Sequence, residues 1–103
     1  MTTKRTPAIS AAKRVLRVWQ ALKGHTFTGL TNSEIAQALG ESAPNVTRAL
    51  TTLIEEDLVT RLPSGRFAHS VKTLQIAAAH YDHTQRMKQR IDQTQGQINA
   101  GVY

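Results

Sequence analysis

Apolar side chains recur every three or four positions through most of this chain, and the recurrence breaks at Gly24, at Gly40 and around Pro63-Ser64-Gly65. The spacing predicts four helices. The first runs from about Ala8 to Lys23, with Ile9, Ala12, Leu16, Trp19 and Leu22 as its buried stripe and Val15 and Val18 beside them. On such a stripe Trp19 is read as a core residue rather than a stacking platform. The second opens at Thr31-x-x-Glu34, the pattern of a capping box, and turns Ile35, Ala36 and Leu39 inward before Gly40 supplies a left-handed end. The third follows at once. Ser42 is placed to cap it, Pro44 is tolerated in its first turn, and Val46, Ala49, Leu50, Leu53 and Ile54 form its inward stripe. Between the first two helices, His25 to Leu30 alternates loosely and reads as a short strand or a loop.

Beyond the third helix the period changes. Asp57 to Leu62 turns from helix to strand, and Arg66 to His69 reads as a second strand after the turn Pro63-Ser64-Gly65, a hairpin in which Leu58, Val59 and Phe67 pack. From Val71 to Ile98 no proline intervenes, and positions 74, 77, 81, 84, 88, 91, 95 and 98 step by three and four. Leu74, Ala77, Tyr81, Ile91 and Ile98 are the apolar members, a moderate heptad signal in a helix of roughly 40 Å. A domain this small cannot cover so long a helix. Its later apolar residues, Met87, Ile91 and Ile98, call for a second copy of the chain, making Leu74, Ala77, Tyr81, Met87, Ile91 and Ile98 the candidate dimerisation set. A frayed, solvated tail is the other reading, to which Gly96 and the many Gln and Arg side chains belong.

The fold class expected is mainly α: a winged helix-turn-helix of three helices plus a β-hairpin wing, followed by a long C-terminal helix. The expected divisions are a flexible basic arm at 1–7, the winged helix-turn-helix domain at 8–70, the long helix at 71–98 and a loose tail at 99–103. A chain of 103 residues suits one domain with a modest core. The absence of cysteine excludes a disulfide frame and thiolate metal sites. No apolar run approaches membrane-spanning length, and MTTKRTPAIS lacks the apolar core of a secretion signal, so the expectation is a cytoplasmic protein from a bacterium or phage, with no membrane partner.

Charge then gives the helices a direction. The formal net charge is +6, and Lys4, Arg5, Lys13, Arg14, Arg17 and Lys23 all precede the first acid, Glu34. Glu55, Glu56 and Asp57 gather at the far end of the third helix, where they would repel phosphate. The outward side of that helix near its start carries Asn45, Thr47, Arg48 and Thr51, small polar groups and one arginine of the kind that reads a major groove. Arg61 and Arg66 flank the hairpin turn. They suit a wing tip lying on the backbone or in the minor groove, against the plainer role of completing the core. The basic side chains Lys13, Arg14 and Arg17 are candidates for phosphate contacts that fix register.

Catalysis has little support. His80-x-x-His83 could present two nitrogens on one helical face, but zinc needs three or four ligands and no others are placed. There is no phosphate-cradling glycine loop and no nucleophile elbow, so neither enzyme activity, cofactor nor metal is expected.

The ordered set Leu30-Thr31-x-x-Glu34-Ile35-Ala36-x-x-Leu39-Gly40, Val46-x-Arg48-x-Leu50-x-x-Leu53 and Leu58-Val59-x-Arg61, with Gly65-Arg66-Phe67 leading to Lys72-x-Leu74, resembles the winged helix-turn-helix domain of IclR-type transcriptional regulators from about Ser10 to Ala79. The resemblance implies that the start of the third helix enters the major groove, bringing Ser42, Ala43, Asn45, Thr47 and Arg48 to the DNA, with Ser64, Gly65 and Arg66 near the backbone. It also implies dimerisation, partly through the helix after the wing. Asp57 stands where that family usually has glycine, and Ala43 and Pro44 replace more polar residues. The family's large effector-binding domain has no counterpart in these residues, so no small-molecule effector is implied. The function expected is sequence-specific binding of double-stranded DNA by a homodimeric transcriptional regulator. Its recognition helix is 43–56 and its wing 61–67. The alternative is a winged-helix interaction or assembly module that reads no DNA sequence.

Overall fold

Local hydrogen bonds mark the helix boundaries. In the computed structural model, which describes residues 6–101, the order is α1 (Ser10–Ala21), α2 (Asn32–Leu39), α3 (Ala43–Glu55), β1 (Val59–Arg61), β2 (Phe67–His69) and α4 (Val71–Ala100). The expected arm at 1–7 lies mostly outside the described residues, as do 102 and 103; Asn99 and Ala100 continue α4. The capping box of α2 is complete: the Glu34 N–H donates to Thr31 Oγ1 and the Thr31 N–H to Glu34 Oε1, both at 3.1 Å. Gly40 closes α2 at φ 65°, and Ser42 Oγ caps α3 by accepting from the Asn45 N–H at 3.3 Å.

α3 ends in a Schellman motif. The Asp57 N–H donates to the Ile54 carbonyl and the Leu58 N–H to that of Leu53, while Asp57 takes φ 59°, the left-handed conformation glycine adopts at low cost. β1 and β2 pair antiparallel, with Thr60 opposite Ala68, and Leu30 adds a single bridge to Phe67. Thus the 25–30 segment is a turn that ends in one bridging residue. The bridge needs Gly29 (φ 69°), because a Cβ there would stand 2.8 Å from Arg66 Cβ and 3.0 Å from the Phe67 carbonyl.

Val18, Leu22, Ile35, Val46, Ala49, Leu50, Leu53 and Val59 form the core where α1, α2, α3 and β1 meet, with Val15, Trp19 and Phe67 packed against it. Two expectations about its face need correction. Ile9 and Leu16 are 72% and 53% exposed, Ala12 is exposed too, and Ile54 is 41% exposed. α1 carries two apolar stripes, and Val15, Val18, Trp19 and Leu22 keep helical spacing as well as Ile9, Ala12, Leu16 and Trp19 do; packing against α3 selects the former. Ile9 is the N-cap residue of α1 and precedes its first turn.

The chain divides into two units, Met1–Thr73 and Leu74–Tyr103. The boundary lies inside α4 because its first turn is fastened to the domain. Ser70 Oγ donates to the Asp57 carbonyl and accepts from the Thr73 N–H; Thr73 Oγ1 donates to the Leu58 carbonyl at 2.7 Å and accepts from Trp19 Nε1 at 3.2 Å. The second unit is the rest of a 30-residue helix about 45 Å long. Tyr81, Ile91 and Ile98 are 65%, 66% and 56% exposed on it, Leu74 and Ala77 are exposed as well, and Met87 is half-buried.

Candidate nucleic-acid interface

The cap at Ser42 leaves the first turns of α3 with one wall in the core and one in solvent. Val46, Ala49, Leu50 and Leu53 face inward; Ala43, Pro44, Thr47, Arg48 and Thr51 are exposed. Between this outer wall, the start of α2 and the hairpin lies a cleft of about 490 Å³, lined among others by Asn32, Ala43, Thr47, Thr51, Arg61 and Phe67. Arg61 sits on the hairpin side with its guanidinium carbon 5.2 Å from the Phe67 ring centroid, a cation–π contact that restrains it while leaving its donors exposed. The hairpin turn is fixed by Leu62 N–H to Arg66 carbonyl (2.7 Å), Gly65 N–H to Leu62 carbonyl (2.8 Å) and Arg66 N–H to Ser64 Oγ (3.3 Å).

Several polar groups on α3 already have partners. Thr47 Oγ1 donates to the Ala43 carbonyl at 3.0 Å and accepts from Asn32 Nδ2 at 2.8 Å, and Thr51 Oγ1 donates to the Thr47 carbonyl at 2.9 Å. Both ends of the Asn45 amide are engaged: Nδ2 donates to Glu41 Oε2 at 3.3 Å, and Oδ1 accepts from an Arg48 terminal nitrogen at 2.7 Å. Direct base contact by Thr47, Thr51 or Asn45 therefore means sharing or exchanging a bond; Arg48 keeps spare donors.

The basic side chains fall into two groups. Arg66 is drawn inward: a terminal nitrogen lies 2.5 Å from Glu34 Oε1, and Nε donates to the Gly29 carbonyl at 3.4 Å. Arg14 Nε, buried, lies 3.3 Å from Glu41 Oε2 in an ion pair too poorly aligned for a hydrogen bond. Lys13, Arg17, Arg48 and Arg61 have no carboxylate within ion-pair distance among the described residues. Hydrogen bonding from the Thr31 backbone and side chain, then the charges of Arg66 and His25, hold the Glu34 carboxyl below the ordinary glutamate range. The Asn45 amide, then Arg14 and the charge of Arg17, lower that of Glu41.

Three participants were not singled out from sequence: Asn32, Glu34 as the partner of Arg66, and Glu41. Glu41 and Asn45 are four residues apart, a readable spacing. Asn32 reaches Thr47 and the Ala43 carbonyl across the helix pair, which no local pattern signals, and its Oδ1 is buried without a protein partner. No helix is long and apolar enough to cross a membrane among the described residues, nor do three metal-ligating side chains converge there.

Comparison with known proteins bears on this geometry. The IclR helix-turn-helix domain model matches residues 11–63. Among solved structures, an IclR transcriptional regulator from Alicyclobacillus acidocaldarius is similar at 29% identity and TM-score 0.62, over 70% of this chain and 29% of that one. An IclR family transcriptional regulator from Brucella abortus is similar at 26% identity and TM-score 0.61, over 70% of this chain and 28% of that one. MepR, a transcription regulator of the Staphylococcus aureus multidrug efflux pump MepA, shares the fold at 21% identity and TM-score 0.53, over 87% of this chain and 72% of that one. The chain thus spans under a third of the length of the two IclR structures it matches. No curated protein sequence matches it.

Proposed function

The chain belongs to the IclR helix-turn-helix domain family, and from that membership we propose that it binds double-stranded DNA sequence-specifically, as a homodimeric transcriptional regulator in the cytoplasm of a bacterium or phage-infected cell. The observation that carries the reading is the exposed, capped start of α3, with Arg48 outward and Arg61 across the cleft. The first turns of α3 enter the major groove, and the helix N-terminus favours a phosphate there. Arg48 reads a guanine edge. Lys13 and Arg17 on α1 and Arg61 on the wing hold the backbone, since Arg14 and Arg66 are paired with acids.

The second copy covers Tyr81, Ile91 and Ile98 of α4, apolar side chains exposed at positions of the heptad pattern. Light scattering on Ile91→Asp/Ile98→Asp tests this: the parent is expected as a dimer and the variant as a monomer, and a monomeric parent contradicts the pairing. Binding of the parent to duplex DNA should weaken steeply with salt through counterion release; a flat response contradicts a phosphate-based interface.

One observation favours a protein-interaction module instead: Asn45, Thr47 and Thr51 are occupied within the chain. A gel shift against random duplex at low salt separates the two readings, because such a module shows no retardation at micromolar protein.

A further inference from the structure

We propose that Glu41 is a specificity-determining residue of the interface: it sets the Asn45–Arg48 pair for readout and withholds Arg14 from indiscriminate phosphate contact. The inference rests on the DNA-binding reading above. Glu41 stands between the left-handed Gly40 and the cap residue Ser42, its backbone fixed by a 3.0 Å hydrogen bond to the Ala36 carbonyl. Its side chain is 22% exposed. It shares a shallow depression of about 160 Å³ with Ser10, Lys13, Arg14 and Arg17, and is the sole carboxylate facing these three cations there.

An ionised carboxylate only accepts hydrogen bonds. Asn45 must therefore turn its Nδ2 toward Glu41 Oε2, which sends Oδ1 the other way, and there Oδ1 receives the Arg48 guanidinium at 2.7 Å. Glu41 and Arg48 thus hold the amide from its two ends, and Glu41 anchors the pair against the backbone between α2 and α3. Without an acceptor at position 41 the Asn45 Nδ2 loses its anchor, and the amide with the Arg48 bound to its Oδ1 is free to shift away from this position. The same carboxylate occupies Arg14, 3.3 Å away, and its negative charge opposes phosphate along this edge of α1. One residue therefore lowers binding to any duplex and raises the precision of contact with the right one.

Two variants separate the charge from the positioning. Glu41→Gln keeps the shape and an acceptor for Asn45 but removes the charge. Its affinity for random duplex should rise about fivefold, and the slope of log K against log salt should steepen by about 0.9, as for one added phosphate contact. Its ratio of specific to random binding should hold. Glu41→Ala should show the same gain for random duplex, together with about a tenfold or greater loss of that ratio, the size of one misplaced base contact. Far-UV circular dichroism establishes that both variants are folded, and a purely structural role for Glu41 weakens both kinds of binding together. Unchanged random-duplex affinity and salt slope in both variants, or an undiminished ratio in Glu41→Ala, overturns the proposal. A parent that binds no duplex overturns the DNA-binding reading first and this inference with it.

Discussion

Asp57 provides the sharpest test of the backbone reasoning. It holds φ 59° at the end of α3, where both hydrogen bonds of the Schellman motif depend on a left-handed residue. Its N–H bonds the Ile54 carbonyl and its carbonyl accepts from Ser70 Oγ; no hydrogen bond of its side chain is found among the described residues. Glycine preserves both backbone contacts. For an L-residue the left-handed region costs about 1–2 kcal/mol, with aspartate toward the lower end. Removing a carboxylate from a helix C-terminus returns about 0.3–1 kcal/mol. Against these, glycine loosens the unfolded chain by about 0.4–1 kcal/mol. The net expectation for Asp57→Gly is a gain of about 1 kcal/mol, or about 4–8 °C in Tm for a domain of this size. Asp57→Ala removes the same carboxylate but keeps a Cβ, so the difference between the two variants isolates the backbone term at about 1 kcal/mol. Thermal and urea denaturation followed by far-UV circular dichroism measure both. Asp57→Ala equal to or more stable than Asp57→Gly would refute the reasoning.

Three further outcomes are expected. Thr31→Ala removes the side-chain half of the α2 capping box and should cost about 1 kcal/mol in urea denaturation; no change would mean that the box contributes nothing. Glu34 and Glu41 are held below the ordinary glutamate value of 4.5, so each binds protons less readily folded than unfolded. Their stabilising contribution is present above that value and is lost as pH falls below it through the folded-state values; an acid titration of stability should show this loss, reduced in the Glu34→Gln/Glu41→Gln double variant. Arg48→Ala should weaken binding to the preferred site by about 1–3 kcal/mol while hardly affecting random duplex, whereas Lys13→Ala should weaken both alike and lower the salt slope by about 1; competition titrations at several salt concentrations distinguish them.

What was legible in the sequence was local. Thr31 and Glu34, Gly40, and Ser42 with Pro44 act on backbone groups within a few residues, so their spacing alone carries the two helix starts and the turn between them. The hairpin followed in the same way from Pro63-Ser64-Gly65, and the ordered motifs carried the family. The buried face of α1 was not legible, because Leu16 and Val18 are both apolar and only the packing partner decides which turns inward. Nor were the occupations of Arg66 and Arg14. Arg66 looks like a free cation beside its turn until the fold brings Glu34, 32 residues away, against it. Asp57 lies between these cases: its departure from glycine was visible, but its retention of glycine's conformation was a matter for the backbone.

The central claim is that the start of α3 reads DNA sequence, and selection of bound duplexes from a random pool tests it most directly. The account predicts an inverted-repeat consensus with half-sites about one helical turn, or a multiple of it, apart, and erosion of that consensus by Arg48→Ala. Failure of the pool to enrich any sequence, or a consensus that Arg48→Ala leaves intact, contradicts it.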